Sequence, residues 1–322
     1  MSTNEGRSRP TQRRRLLVSA AVLALLLAAV PSAALAQSST QTSCQNELYS
    51  RDYSKDIDFG PDVEWPRGAW GDGDTLWVVD PLEDKIFAYD ITAGDTFGDR
   101  LTGKDIDISA DSHSARGIWS DGFWMYVSNE FNTDWDHNTA NVKAYLLSDG
   151  SRSAGRDFDL YEYNNDPRGL WSDGDTFWVL QPDTTVRNDD QEIIFQAKSK
   201  IYAYSAGNQN QLGSVPGARQ SSKDINNLFS DGTIAGGLWS DGTTIWTTST
   251  NVSTDANDNG IGRVYAFTLS SGARDSSNEF YLQSSHSAPQ GLWSDGETVW
   301  IADTWDDKFY AYHMCGWRAG GV

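Results

Sequence analysis

A Gly-aliphatic-Trp step followed by a Ser/Gly-Asp-Gly turn recurs around Trp70, Trp119, Trp171, Trp239 and Trp293. Nothing else in the chain limits its fold as tightly, because a unit repeated at intervals of this length signals a repeat architecture. The fullest copy is Pro167-Arg168-Gly169-Leu170-Trp171-Ser172-Asp173-Gly174-Asp175-Thr176-Phe177-Trp178-Val179, followed by Lys200-Ile201-Tyr202-Ala203-Tyr204. Upstream of the tryptophans lie Lys55-Asp56-Ile57, Lys104-Asp105-Ile106, Arg156-Asp157-Phe158, Lys223-Asp224-Ile225 and Asn278-Glu279-Phe280.

Each piece is short, rich in β-branched and aromatic residues, and bounded by Gly, Asp or Ser, so each predicts a strand. The unit therefore has four strands: A (Gly-Leu-Trp), B (Thr-x-Trp-Val), C (Lys-Ile-Tyr-Ala-Tyr) and D (Lys-Asp-Ile). The Asp-Gly between A and B is a hairpin signal, since Gly takes a positive φ and the carboxylate caps local N–H groups. Asp72, Asp121, Asp173, Asp241 and Asp295 are thus expected as turn formers rather than catalytic acids. From the D triplet to the next strand-A Trp the distance is 15, 15, 15, 16 and 15 residues, which marks a fixed joint. From the strand-B aromatic to strand C it is 8, 17, 22, 17 and 8, so insertions gather in the B-to-C loops.

Four-stranded units repeated around an axis predict an all-β, five-bladed β-propeller over residues 50–315. A lone D strand, Lys55–Phe59, precedes the first A, and the chain ends just after the fifth C, so the N-terminal strand completes the last blade. Cys44 and Cys315 flank that closing pair. In an exported protein they suit a disulfide, worth on the order of 5 kcal/mol on the loop-entropy model, with free or metal-bound thiols as the alternative.

Export is read from the first segment. Arg13-Arg14-Arg15, an apolar run from Leu16 to Val30 and Ala34-Leu35-Ala36 make residues 1–36 a signal peptide. The apolar run falls short of the ~20 residues a membrane anchor needs. The paired arginines before Leu16-Leu17 resemble a twin-arginine signal without its flanking Ser and Lys, so Sec and Tat both fit. Residues 37–49 form a short extension and 316–322 a tail. The whole chain carries a formal charge of -20, and loss of residues 1–36 makes it -24. That charge excludes general nucleic-acid binding, while an aromatic content of 12% excludes an acidic disordered tail. An acidic surface resists salt and aggregation; calcium sites or a cationic partner are the sharper readings.

Pro-Arg-Gly-Leu-Trp-Ser-Asp-Gly-x-Thr-x-Trp-Val followed by Lys-Ile-Tyr-Ala-Tyr resembles the NHL-like propeller repeat of bacterial extracellular proteins, in particular a branch marked by Trp-Ser-Asp-Gly. The resemblance covers residues 50–313 and implies a fold, not an activity. NHL-like propellers usually have six blades, whereas five copies are present here and residues 37–49 are too few for a sixth. Site motifs of five-bladed tachylectin-like lectins and glycosidases are not recognisable.

Antiparallel blades send the B-to-C and D-to-A loops to one face, where three features gather. Trp65, Asp134-Trp135-Asp136 and Trp305-Asp306-Asp307 set aromatic rings beside carboxylates or proline, as in sugar sites, although covering neighbouring blades is the plainer role. Asp255, Asn257 and Asn259 with Gly260 match the first half of a calcium loop, but Ala266 stands where a closing Glu belongs. Arg67, Arg116 and Arg168 share one repeat position with Gly236 and Gln290, ringing the mouth of the channel. Asp80, Asn129, Gln181, Ser249 and Asp303 share another. Structural Arg–Asp ion pairs are the plainer account of these positions, and an anion or carboxylate site the sharper one. Four scattered histidines include His113 and His286, each in a Ser-His-Ser loop, as the acid–base candidates, with ordinary loop polar groups as the plainer account.

The expectation is an exported, monomeric, non-enzymatic propeller that is secreted or periplasmic, with no membrane span after signal cleavage and no cofactor except calcium. It binds an extracellular protein or glycan through the B-to-C and D-to-A face. A secreted hydrolase acting on carbohydrate or lactone is the alternative.

Overall fold

The computed structural model describes residues 47–130, 139–187, 193–197, 199–207, 216–226, 228–229, 234–250, 262–283, 286 and 288–314. The signal segment 1–36, the extension up to residue 46, both cysteines (Cys44 and Cys315) and the tail 316–322 lie outside them.

In chain order, β1 (Ile57–Asp58) is a lone outer strand. Blade 1 is β2 (Ala69–Gly71), β3 (Thr75–Asp80), β4 (Lys85–Asp90) and β5 (Ile106–Asp107), and blade 2 is β6 (Ala115–Ser120), β7 (Trp124–Asn129), β8 (Asn141–Leu146) and β9 (Phe158–Asp159). Blade 3 has β10 (Gly169–Ser172), β11 (Thr176–Gln181), an inserted hairpin of β12 (Thr184–Arg187) and β13 (Ile193–Ala197), then β14 (Lys200–Ser205) and β15 (Ile225–Asn226). Blade 4 is β16 (Ile234–Ser240), β17 (Thr244–Thr250), β18 (Arg263–Thr268) and β19 (Phe280–Tyr281); blade 5 is β20 (Pro289–Ser294), β21 (Thr298–Asp303) and β22 (Lys308–His313). Every blade is a four-stranded antiparallel sheet, and β1 pairs with β22 to complete the fifth. The chain is a five-bladed propeller, as the repeat count predicts. Tyr49, Ser50 and Asp52 extend the closing contact through backbone bonds to His313 and Ala311.

Two expectations about strand limits change. Strand D is two residues long, because Tyr53–Lys55 and its counterparts form 3-10 turns just before it. The 17-residue distance expected in blade 2, which runs from Tyr126 to Lys143, is too long: strand C starts at Asn141, which pairs with Asn129 in register with the other blades.

The tryptophan repeat is a cross-strand pair. Trp70 faces Trp77, Trp171 faces Trp178, Trp239 faces Trp246 and Trp293 faces Trp300, with Trp119 facing Tyr126 in blade 2. Ring centroids lie 5.1 to 5.8 Å apart, a separation at which an aromatic pair contributes about 1 kcal/mol beyond the area it buries. Trp124, which falls outside the Trp repeat, opens β7 in the slot that Thr75, Thr176, Thr244 and Thr298 fill elsewhere. The Asp-Gly turns also form as expected. Oδ1 of Asp72, Asp121, Asp173, Asp241 and Asp295 each accepts two N–H bonds of 2.7 to 2.9 Å from residues two and three ahead.

Neighbouring blades are stapled by tyrosine. The last Tyr of strand C reaches the connection arriving from the preceding blade: Tyr89 to the Phe59 carbonyl, Tyr145 to Ser112, Tyr204 to the Tyr161 N–H, and Tyr312 to the Gln283 N–H. Blade 4 has Phe267 there and no such bond.

At the axis the five A strands meet through Gly68, Gly117, Gly169, Gly237 and Gly291. A Cβ on each would come within 3.0 Å of the next blade's backbone, running from Gly68 to Gly117, on through Gly169, Gly237 and Gly291, and back to Ala69. The space they enclose has no room for a water molecule. The channel expected at the centre is therefore shut, because five blades draw the inner strands into backbone contact.

Gly169→Ala sets a methyl 2.5 Å from Leu238 Cβ, whereas Gly174→Ala meets nothing within 4 Å but keeps a φ of +92°. The expected losses are about 3 kcal/mol for the first and about 1 kcal/mol for the second, read as shifts in the denaturant midpoint. Equal shifts would contradict the packing described.

Candidate functional site

The B-to-C and D-to-A connections emerge together, and the residues that end strand B tie them to each other. Asp80 is fully buried; its Oδ2 accepts from the N–H groups of Glu64 and Trp65, and its Oδ1 from those of Leu82 and Glu83. Asp303, also fully buried, accepts from Ala288, Trp305 and Asp306, and burial still holds its carboxyl above the ordinary value. Gln181 takes the same place in blade 3, accepting from the Asp166 N–H. These side chains position the face from beneath. Fully buried and committed to backbone donors, Asp80 and Asp303 stand apart from the arginines with which the repeat alignment groups them.

The arginines stand one residue before the axial glycines, so the backbone contacts that close the axis also bring their positions together. Arg116 pairs with Glu130, bonding through both Nε and a terminal nitrogen. Arg168 grips Asp166 with bonds of 3.0 to 3.2 Å. Arg67 differs. Its guanidinium lies 4.7 Å from the centroid of Trp65, its Nε is buried without a partner, and it has no ion pair among the described residues. Burial, then the like charges of Arg116 and Arg168, press it below the ordinary arginine value to about 9. It stays protonated at neutral pH, and the charges of Asp166 and Glu130 offset the downward shift only in part.

Trp65 is 39% exposed and Trp305 74% exposed. Their loops are joined, since Thr304 Oγ1 donates to the Pro66 carbonyl at 2.8 Å. Asp306 accepts from the Tyr310 hydroxyl, and burial followed by Asp80, Asp306, Glu64 and Asp58 raises the Asp307 carboxyl. Trp135 with Asp134 and Asp136, and the loop carrying Asp255, Asn257 and Asn259, lie outside the described residues. Among the described residues no cluster of three or more His, Cys, Asp or Glu side chains could hold a metal ion.

The two candidate histidines separate. His113 Nδ1 lies 3.0 Å from Asp84 Oδ2, and both side chains are partly exposed. His286 is fully buried: it stacks on Tyr310 at 3.7 Å, and its Nδ1 and Nε2 meet the Tyr312 hydroxyl and Arg51. Burial and then the Arg51 charge push it down to about 3, so it is a neutral packing group.

Repeat reading overlooked a second charged pattern. Arg51, Arg100, Arg152, Arg219 and Arg274 each lie five residues before an acid, and each forms an ion pair with it: Asp56, Asp105, Asp157, Asp224 and Glu279. In four blades the acid also accepts from a strand-C alanine N–H at 3.1 Å. The five-residue spacing was visible in the sequence. Its partner, a strand from another part of the unit, was not.

No protein-family model matches this sequence, and no curated protein does. Solved structures similar to it include the nidogen/laminin complex, at 15% identity and TM-score 0.41 over 74% of this chain and 72% of that one. A luciferin-regenerating enzyme matches at 10% and 0.39 over 81% and 95%, and virginiamycin B lyase from Staphylococcus aureus at 13% and 0.37 over 80% and 98%. Identities and TM-scores this low say nothing of what this chain binds.

His286 supplies a pH test. The unfolded imidazole takes a proton near pH 6.5 and the folded one only near 3, so between those values the unfolded state binds more protons and stability falls with falling pH. Relative to His286→Gln, the wild type should lose on the order of 1–2 kcal/mol more between pH 7 and pH 4.5, measured by denaturant unfolding at each pH. Parallel losses would show that His286 is not buried neutral.

Proposed function

We propose that this chain is an exported, non-enzymatic propeller that binds an extracellular glycan or protein partner through its B-to-C and D-to-A face. One observation carries the reading. The blades share their cross-strand aromatic pairs, turns and ion pairs, yet at the axial mouth of this one face they present Arg67, Arg116, Arg168, Gly236 and Gln290, so the symmetry breaks where a single ligand can sit. Exposed Trp65 and Trp305 on joined loops add the aromatic surface that such a partner would cover.

Binding without turnover fits what surrounds the mouth. Its acids are engaged in structure: Glu130 and Asp166 in ion pairs, Asp80 and Asp303 with backbone donors. Among the described residues no helix is long and apolar enough to cross a membrane, and the signal segment 1–36 carries the proposal of export. The likeness to the Trp-Ser-Asp-Gly branch of NHL-like repeats, like the proposed Cys44–Cys315 bridge, belongs to the same reading.

A glycan array and an extracellular-protein screen should each be run beside assays for product release from polysaccharides and lactones. The reading predicts binding in a screen with no product; steady turnover of any substrate would replace it with a hydrolase. Calcium, proposed as a ligand of the Asp255, Asn257 and Asn259 loop, is expected to raise the melting temperature relative to chelator. An unchanged melting temperature would remove calcium from the account.

A further inference from the structure

Resting on the binding reading above, the arginine cluster can be taken to a ligand class. The acids that neutralise its second and third members occupy definite places in the repeat. Glu130 is the residue after strand B of blade 2, and Asp166 is two residues before Arg168 in blade 3. In blade 1 those two places hold Pro81 and Trp65. Arg67 is thereby deprived of both routes to a carboxylate, and one of the two is replaced by an aromatic face against which its guanidinium stacks.

The consequence is a local excess of positive charge in a strongly acidic protein. Arg116 and Arg168 stand near enough to repel the Arg67 charge, each has one acid of its own among the described residues, and the buried Nε of Arg67 has no acceptor there. An unpaired donor in such surroundings is costly to leave unmade. Blades 4 and 5 bring the uncharged Gly236 and Gln290 to the remaining positions of the arginine repeat, and Gln290 is largely buried there. Fork, ring and amide together match one kind of ligand: a carboxylate for the guanidinium, a sugar face for Trp65, and hydroxyls for the amide.

We propose that the axial mouth binds the carboxylate of a uronic-acid residue, with Arg67 as the principal cation and Trp65 as the stacking surface. Two features restrict the rest of the ligand. The glycine ring shuts the axis, so the saccharide enters end-on and cannot thread. Glu64, Asp306 and Asp307 make the neighbouring loops acidic, so a chain of many uronates is repelled and a single terminal one is favoured.

Isothermal titration of the mature protein with D-glucuronate, D-glucose and acetate tests this. Glucuronate is expected to bind about tenfold or more tightly than either glucose or acetate, and to weaken as salt is raised. Arg67→Met should remove that preference without lowering the melting temperature, because it takes away an under-compensated charge; Arg67→Lys should retain part of it, having charge without the fork. Equal affinity for glucuronate and glucose, or unchanged glucuronate binding by Arg67→Met, overturns the proposal. Acetate binding as tight as glucuronate overturns the sugar part of it. If array glycans or a protein bind while glucuronate does not, this inference fails and the binding reading stands; if nothing binds in either experiment, both fail.

Discussion

Contact between bare backbones at the axis governs this protein. Gly68, Gly117, Gly169, Gly237 and Gly291 each lie where a Cβ would strike the adjacent blade. Closing a ring with only five sheets brings the inner strands this near, and only glycine tolerates it at all five places. Two consequences follow outward along the chain. The centre is sealed, so the axis can be approached only from its mouths. The residue before each glycine is carried to that mouth, and side chains far apart in sequence become neighbours.

Charge is distributed by the same frame. Five Arg–acid pairs hold the 3-10 turns and strand D against strand C, and five aspartates cap the A-to-B turns. Ten of the 45 acidic side chains are therefore structural and evenly repeated. Against that regular background the arginines of blades 1 to 3 are an exception. Two of them have their own acids and the third has tryptophan, which makes Arg67 the point at which repetition stops.

Much of the fold was legible because it is local. An Asp-Gly turn, a Trp at a fixed interval and a fixed D-to-A distance specify hairpins and packing within a short window, and five copies plus a lone outer strand specify ring closure. The closed axis was less visible: glycine before each Trp reads equally as a strand boundary until the blade number forces the strands together. At the axial mouth, alignment grouped the arginines but not the acids they pair with. Asp80 and Asp303 share a repeat position near the arginines, but they turn to backbone N–H groups, while Glu130 and Asp166 come from neighbouring positions that the alignment did not single out. Partner choice depends on side-chain direction across strands, which spacing along one strand does not encode.

The central claim is that a glycine-sealed axis presents an uncompensated Arg67 to a carboxylated sugar. A crystal structure grown with glucuronate addresses it most directly. The account predicts five blades, backbone contact at the five glycines, and the ligand carboxylate bonded to Arg67 with the sugar ring over Trp65. An open axis, or glucuronate bound away from the mouth while Arg67 pairs with an acid of the protein, would contradict it.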